Sequence, residues 1–169
     1  MSALIKFFVY GTLKPGEMNH RVCAPYVVDV QPAIATGQVY HLPFGYPAMT
    51  LEEHGQVHGH LLTFIEPTIL AILDELEHHD PEVFQRVAPG QSFMANQYQR
   101  REITVVTPRS AQPETAWGYV MTPAQIFCLR GQRVPSGCWT GTTSALLSAE
   151  SNERSSWGWG EEMPQDFQR

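Results

Sequence analysis

Apolar positions along the chain fall into short runs separated by glycine and proline, the pattern of a strand-rich protein with many turns. Residues 4–10 form an apolar, aromatic and β-branched run of strand length. Gly11 and then Pro15-Gly16 cut it, so a strand is predicted that delivers a loop. Residues 17–24 read as a short irregular or helical piece, and residues 26–30 as strand-like. Residues 33–42, with Gly37 at their centre, read as a bent or bulged strand closed by Pro43, Gly45 and Pro47. Met49 to Leu51 leads into a turn at Glu52-Glu53-His54-Gly55. Residues 56–64 then alternate His58, His60, Leu62 and Phe64 against Val57, Gly59, Leu61 and Thr63, a hairpin-like spacing.

The clearest helix runs from Pro67 to about His79, with proline in the first turn, where a missing N–H costs nothing. Ile69, Leu70, Ile72, Leu73 and Leu76 form one stripe. At 100° per residue Glu77 lies about 20° from Leu70 and about 40° from Leu73, inside the apolar arc, whereas Glu75 points away from it. Glu77 is therefore expected to face the interior. Asp80-Pro81 ends this helix, and residues 82–97 are predicted to be a long loop. Strands follow at residues 98–107 and 114–121, joined by a turn over residues 108–113, and residues 123–130 read as a short last helix. Beyond Thr140 the composition shifts to Ser, Thr, Gly and Glu with scattered Trp, and periodicity disappears. The expected organisation is one domain over residues 1–140 with a poorly ordered tail over residues 141–169, whose Trp157 and Trp159 offer a surface to the domain or to a protein partner. Strands outnumber helices with no regular βαβ alternation, which gives an α+β class with a curled sheet.

Charge narrows the function. Seventeen acidic against eleven basic side chains give a formal net charge of −6, which argues against a general nucleic-acid or anionic-membrane partner. No run approaches transmembrane length, and residues 1–6 lack a charged-then-apolar leader pattern, so a cytoplasmic location is expected. Cys23, Cys128 and Cys138 are odd in number and widely spaced, as befits reduced thiols rather than a disulfide framework.

A carboxylate inside an apolar stripe loses hydration, and at a helix C-terminus it meets the negative end of the dipole. Both effects raise its pKa and suit it to moving protons near neutrality. On the helical wheel alone, Glu77 is equally a helix-end glutamate whose stem packs while its head reaches solvent or Arg100.

The wording of two stretches separates these readings. Tyr10-Gly11-Thr12-Leu13, behind an apolar strand and followed by Lys14, Gly16 and Asn19-His20, resembles the opening motif of the gamma-glutamylcyclotransferase-like family, in its gamma-glutamylamine cyclotransferase or AIG2-like branch. Leu73-Asp74-Glu75-Leu76-Glu77 resembles that family's motif ending in the catalytic glutamate. Tyr98-Gln99-Arg100 resembles its Tyr-x-Arg, and Gly118-Tyr119 its later strand that brings a tyrosine to the cavity. The likeness spans roughly residues 7–139.

It implies a small mixed β-barrel with flanking helices and a cofactor-free, metal-free reaction on a small γ-glutamyl compound. In that reaction the substrate's α-amine attacks its own γ-carbonyl, forming 5-oxoproline and releasing an amine. Glu77 would be the general base, and Tyr10, Gly11, Thr12, Leu13, Tyr98, Arg100 and Tyr119 would bind substrate. The alternative keeps the same fold as a non-catalytic module binding a small molecule or a protein.

Other constellations are weaker. His58 and His60 share a strand face near His54 and His41, but strand histidines more commonly serve packing or caps than metal binding. His78-His79 suit a helix C-terminus as dipole partners, with one of them able to tune Glu77. Cys23 with His20 lacks a third orienting group. Deleting residues 141–169 is expected to leave a cooperative thermal transition, because the tail has no periodic apolar face for the core to miss. Loss of that transition would place Trp157 or Trp159 in the core.

Overall fold

The computed structural model describes residues 3–142. In chain order these form β1 (Ile5–Val9), α1 (His20–Cys23), β2 (Val27–Thr36), β3 (Gln38–His41), β4 (Pro47–Thr50), β5 (Gln56–Phe64), α2 (Ile69–Leu76), α3 (Pro81–Val87), β6 (Gln99–Thr107), β7 (Ser110–Val120), α4 (Pro123–Cys128) and β8 (Gln132–Arg133). Five strands close into a barrel in the order β1-β5-β2-β6-β7, and β4-β3-β8 make a smaller sheet beside it. All barrel pairings are antiparallel except the closure of β1 on β7, a parallel bridge at Phe7 and Trp117. The fold is the mixed α+β barrel with flanking helices that the resemblance implies. No helix among the described residues is long and apolar enough to cross a membrane.

Alternation along β1 divides the core in two. Phe8 and Tyr10 point one way, into a cluster with Ala33, Ala35, Leu61, Val105 and Ala116, drawn from all five barrel strands. This is the barrel interior, and five strands leave it so narrow that alanines fill much of it. Phe7 and Val9 point the other way, where Leu62, Phe64, Ile69 and Leu73 join them and α2 lies across the outside of the barrel. Both faces of β1 are buried, which is why its sequence reads as an unbroken apolar run rather than an alternating one.

Four elements differ from the sequence reading. The region around Gly37 is not one bent strand. β2 runs unbroken from Val27 to Thr36 apart from a register shift near Val28, and Gly37, at φ +151°, redirects the chain into β3. A Cβ there would lie 2.1 Å from the Thr50 carbonyl oxygen, so only glycine fits. β4 and β5 do not pair as a hairpin, because β4 pairs with β3 while β5 lies between β1 and β2. The β6–β7 turn is only Pro108-Arg109, since Thr107 already faces Ser110.

The predicted loop over residues 82–97 holds α3 and a 3₁₀ turn at Met94–Asn96. Asp80 does not merely end α2. Its carboxylate accepts from the N–H groups of Glu82 at 2.9 Å and Val83 at 3.0 Å, and Pro81 takes the first helical position. The proposed tail lies outside the described residues apart from Gly141 and Thr142. Gly141 donates its N–H to both Glu17 carboxylate oxygens at 3.1 Å.

Replacing Asp80 with Ala removes the acceptor for two helix-start N–H groups. Stability should fall by about 1 kcal/mol in urea denaturation, with most of it restored by Asp80→Asn. An unchanged midpoint in Asp80→Ala would show that α3 holds without its cap.

Candidate active site

β1 delivers its loop to a cavity beside the C-terminal end of α2. Gly11, Thr12 and Leu13 line it, together with Tyr10, Glu77, Tyr98 and Tyr119. The loop is compact: Lys14 N–H donates to the Gly11 carbonyl at 3.1 Å, Asn19 N–H to the Thr12 carbonyl at 2.9 Å, and Asn19 Nδ2 to Thr12 Oγ1 at 3.0 Å. With the carbonyls engaged, the N–H groups of Gly11, Thr12 and Leu13 have no acceptor among the described residues. Such a run of donors suits a carboxylate or a developing oxyanion. Glycine at position 11 is required by packing, since a Cβ would stand 2.6 Å from Pro47 Cγ, another residue of the cavity wall.

Glu77 is the C-cap of α2, its N–H bonded to the Leu73 carbonyl at 3.1 Å. The helix thus stops where the apolar stripe turns this side chain into the cavity. Glu77 is half-buried. Desolvation, with a smaller contribution from the Asp74 carboxylate, pushes its pKa up to about 8. Glu75, two residues earlier, is exposed.

The tyrosines are held by their hydroxyls. Tyr10 donates to the Tyr119 carbonyl at 2.7 Å and accepts from Met49 N–H at 3.0 Å. Tyr98 donates to the Pro47 carbonyl. Tyr119 donates to Asp74 Oδ1 at 2.7 Å and stacks on Phe7 with ring centroids 5.9 Å apart. Burial raises the pKa of all three, so they stay protonated and act as fixed donors to protein.

Arg100 is placed differently from the other residues singled out by sequence. It does not line the cavity. Its Nη1 donates to Asp74 Oδ2 at 2.7 Å and its guanidinium lies 5.3 Å over the Trp117 ring. Asp74 thus joins Arg100 to Tyr119, bracing α2 against β6 and β7 from behind the site. Asp74 stands in the Leu-Asp-x-x-Glu stretch, one helical turn before Glu77, and that spacing was the available signal for its role. Tyr46 and Pro47 were missed because they stand at the junction of a turn with β4, where no periodicity marks them.

The histidines do not converge. His41 accepts from Trp139 Nε1 at 3.0 Å and His54 offers its carbonyl to Gln38. Among the described residues no three potential ligands are grouped to hold a metal ion. Cys23 is buried, and desolvation pushes its thiol pKa up, away from nucleophile chemistry.

Glu77 also affects stability. Its folded pKa of about 8 lies above the ordinary value of 4.5, so between these pH values the folded protein retains a proton that the unfolded chain releases. The contribution of this group to stability is full below about pH 4.5 and is lost as pH rises through about 8. A Glu77→Gln protein lacks that loss. Its melting temperature relative to wild type should rise between pH 5 and pH 8, by the equivalent of a few kcal/mol. A pH-independent difference would mean that Glu77 titrates normally.

Comparison with known proteins gives the family and the fold. The family model described as gamma-glutamyl cyclotransferase, AIG2-like, matches residues 7–141. No curated protein matches the sequence. Among solved structures, YkqA from Bacillus subtilis aligns with TM-score 0.58 at 20% identity, over 86% of this chain and 43% of its own, so the chain spans less than half of that protein. An Arabidopsis thaliana protein solved in solution aligns with TM-score 0.55 at 20% identity, over 93% of this chain and 84% of its own. A mouse AIG2-like protein aligns with TM-score 0.53 at 19% identity, over 73% and 83% respectively. At these identities the structures share the fold, and the family match over most of the chain carries the assignment: the protein belongs to the gamma-glutamyl cyclotransferase, AIG2-like family.

Proposed function

We propose that the protein converts a small γ-glutamyl compound to 5-oxoproline and a free amine, with Glu77 as the general base. The observation that carries this reading is a carboxyl group with a pKa near 8 in a cavity also lined by Gly11, Thr12 and Leu13, whose N–H groups have no acceptor among the described residues. A base and a row of oxyanion donors are what an intramolecular acyl transfer needs when the substrate supplies its own nucleophile.

In the ionised form Glu77 takes a proton from the substrate's α-ammonium. The freed nitrogen lone pair attacks the γ-carbonyl carbon, and a C–N bond forms while the carbonyl oxygen becomes an oxyanion facing the loop N–H groups. Collapse breaks the original γ C–N bond as Glu77 returns its proton to the departing nitrogen. The second proton on the new ring nitrogen then passes through the Glu77 carboxylate to the released amine, which departs as an ammonium and leaves Glu77 ionised. A carboxylate with its pKa raised to about 8 is a far stronger base than an exposed one, and its conjugate acid remains able to protonate the leaving group. No serine or cysteine nucleophile is required, in keeping with the buried, weakly acidic Cys23.

The test is incubation with γ-glutamyl-amines, γ-glutamyl-amino acids and glutathione, with 5-oxoproline read by mass spectrometry. Binding of several without product would favour the non-catalytic module. Glu77→Gln should fold and bind substrate analogues nearly as wild type while turnover falls by about 10²–10⁴-fold. Glu75→Gln, altered at an exposed position of the same helix, should retain turnover. Near-wild-type activity in folded Glu77→Gln would remove the base from the mechanism.

A further inference from the structure

Two residues beyond Glu77, a second side chain turns inward. His79 is 4% exposed, and its ring is boxed by Phe44, Phe84 and Tyr98 at centroid distances of 5.0, 5.4 and 5.7 Å. Its N–H donates to Gln97 Oε1 at 3.2 Å. His79 Nε2 lies 2.8 Å from the Asn96 carbonyl. A carbonyl only accepts, so Nε2 carries the ring proton. Desolvation lowers the pKa of this buried imidazole, so it is neutral and Nδ1 is bare. The hydrogen bond between Nδ1 and the Tyr46 hydroxyl therefore runs from tyrosine to histidine.

The direction of that bond matters because Tyr46 lines the Glu77 cavity. Its single hydroxyl proton is taken by His79, leaving only oxygen lone pairs and a ring face for a ligand. Tyr10, Tyr98 and Tyr119 also direct their protons to protein acceptors. Each of the four cavity tyrosines thus lacks a free hydroxyl proton, while donors come from the loop N–H groups. A ligand suits this division if it brings its own N–H donors, and an ammonium group does so while also gaining from aromatic faces and a nearby carboxylate.

Resting on the γ-glutamyl reading above, we propose that His79 is a positioning residue that holds Tyr46 as a hydrogen-bond acceptor for the substrate's α-amine beside Glu77. The histidine touches no substrate. It fixes the rotor of a hydroxyl that would otherwise present either a proton or a lone pair.

The test compares Tyr46→Phe, His79→Phe and the double variant, using whichever γ-glutamyl compound the wild type converts. The matching glutaryl amide, which lacks the α-amine, serves as a competitive ligand. Loss of one hydrogen bond to a charged amine should raise KM about tenfold or more in Tyr46→Phe, with kcat changed far less. Affinity for the glutaryl amide should stay within about twofold of wild type. His79→Phe should show the same selective loss, and the double variant no more than either single, because the histidine acts through the tyrosine. His79→Gln, which retains a donor and an acceptor, should recover part of it.

If His79→Phe fails to fold, imidazole ¹⁵N spectra decide whether the bond exists. Nδ1 should appear unprotonated and hydrogen-bonded in wild type and lose that bond in Tyr46→Phe. Additive losses, equal weakening toward both ligands, or a protonated Nδ1 would each overturn the assignment. A wild type that forms no 5-oxoproline from any γ-glutamyl compound would sink the functional reading and this assignment together. Turnover with an unchanged KM in Tyr46→Phe would remove the assignment alone.

Discussion

The arrangement of the site depends on one buried hydroxyl. Tyr10 leaves the end of β1, donates to the Tyr119 carbonyl near the end of β7, and accepts from Met49 N–H in β4. It therefore ties the point where the loop after β1 begins both to the barrel and to the smaller sheet. All three residues are buried, so removing the hydroxyl would take a partner from a main-chain donor and from a main-chain acceptor in the interior. Pro47 opens β4 and Tyr46 precedes it, and Gly11 packs against Pro47 with no room for another atom. Loop, wall and barrel end are thereby referred to the same oxygen atom.

Around that fixed frame the molecule keeps a costly group. Glu77 occupies a position where both desolvation and a neighbouring carboxylate oppose its ionisation, and the stability contributed by this group declines over the pH range in which a base is useful. The acidic neighbour is itself restrained: Asp74 has its oxygens occupied by Tyr119 and Arg100. Arg100 pairs with Asp74 and braces the helix without lining the cavity. The site thus retains a raised carboxyl pKa that a cation facing the cavity would otherwise depress.

Much of this was legible because it depends on local periodicity. The wheel that puts Glu77 inside the apolar stripe needs only the residues of α2, and the apolar run of β1 with its glycine stop marks both the strand and the loop. What escaped depends on long-range pairing or on one residue serving two elements. Asp80-Pro81 signals a stop for α2, and the same pair caps and starts α3. Gly37 suggests a bulge until the Thr50 carbonyl against it reveals a change of sheet. Tyr46 has no pattern of its own, and its partner His79 lies 33 residues away. Arg100 shares a sequence motif with cavity residues, yet the barrel wall turns it toward α2.

The far side of the loop after β1 is clasped as firmly as its start. Lys14, itself buried, donates to the Trp139 carbonyl, and Glu17 accepts the Gly141 N–H, so two side chains of the loop grip the chain that emerges from the last small strand. The N–H groups of Gly11, Thr12 and Leu13, without an acceptor among the described residues, lie between these anchors and the Tyr10 hydroxyl. Their positions are set by folding, so an acceptor that reached them would meet donors that do not have to lose backbone freedom.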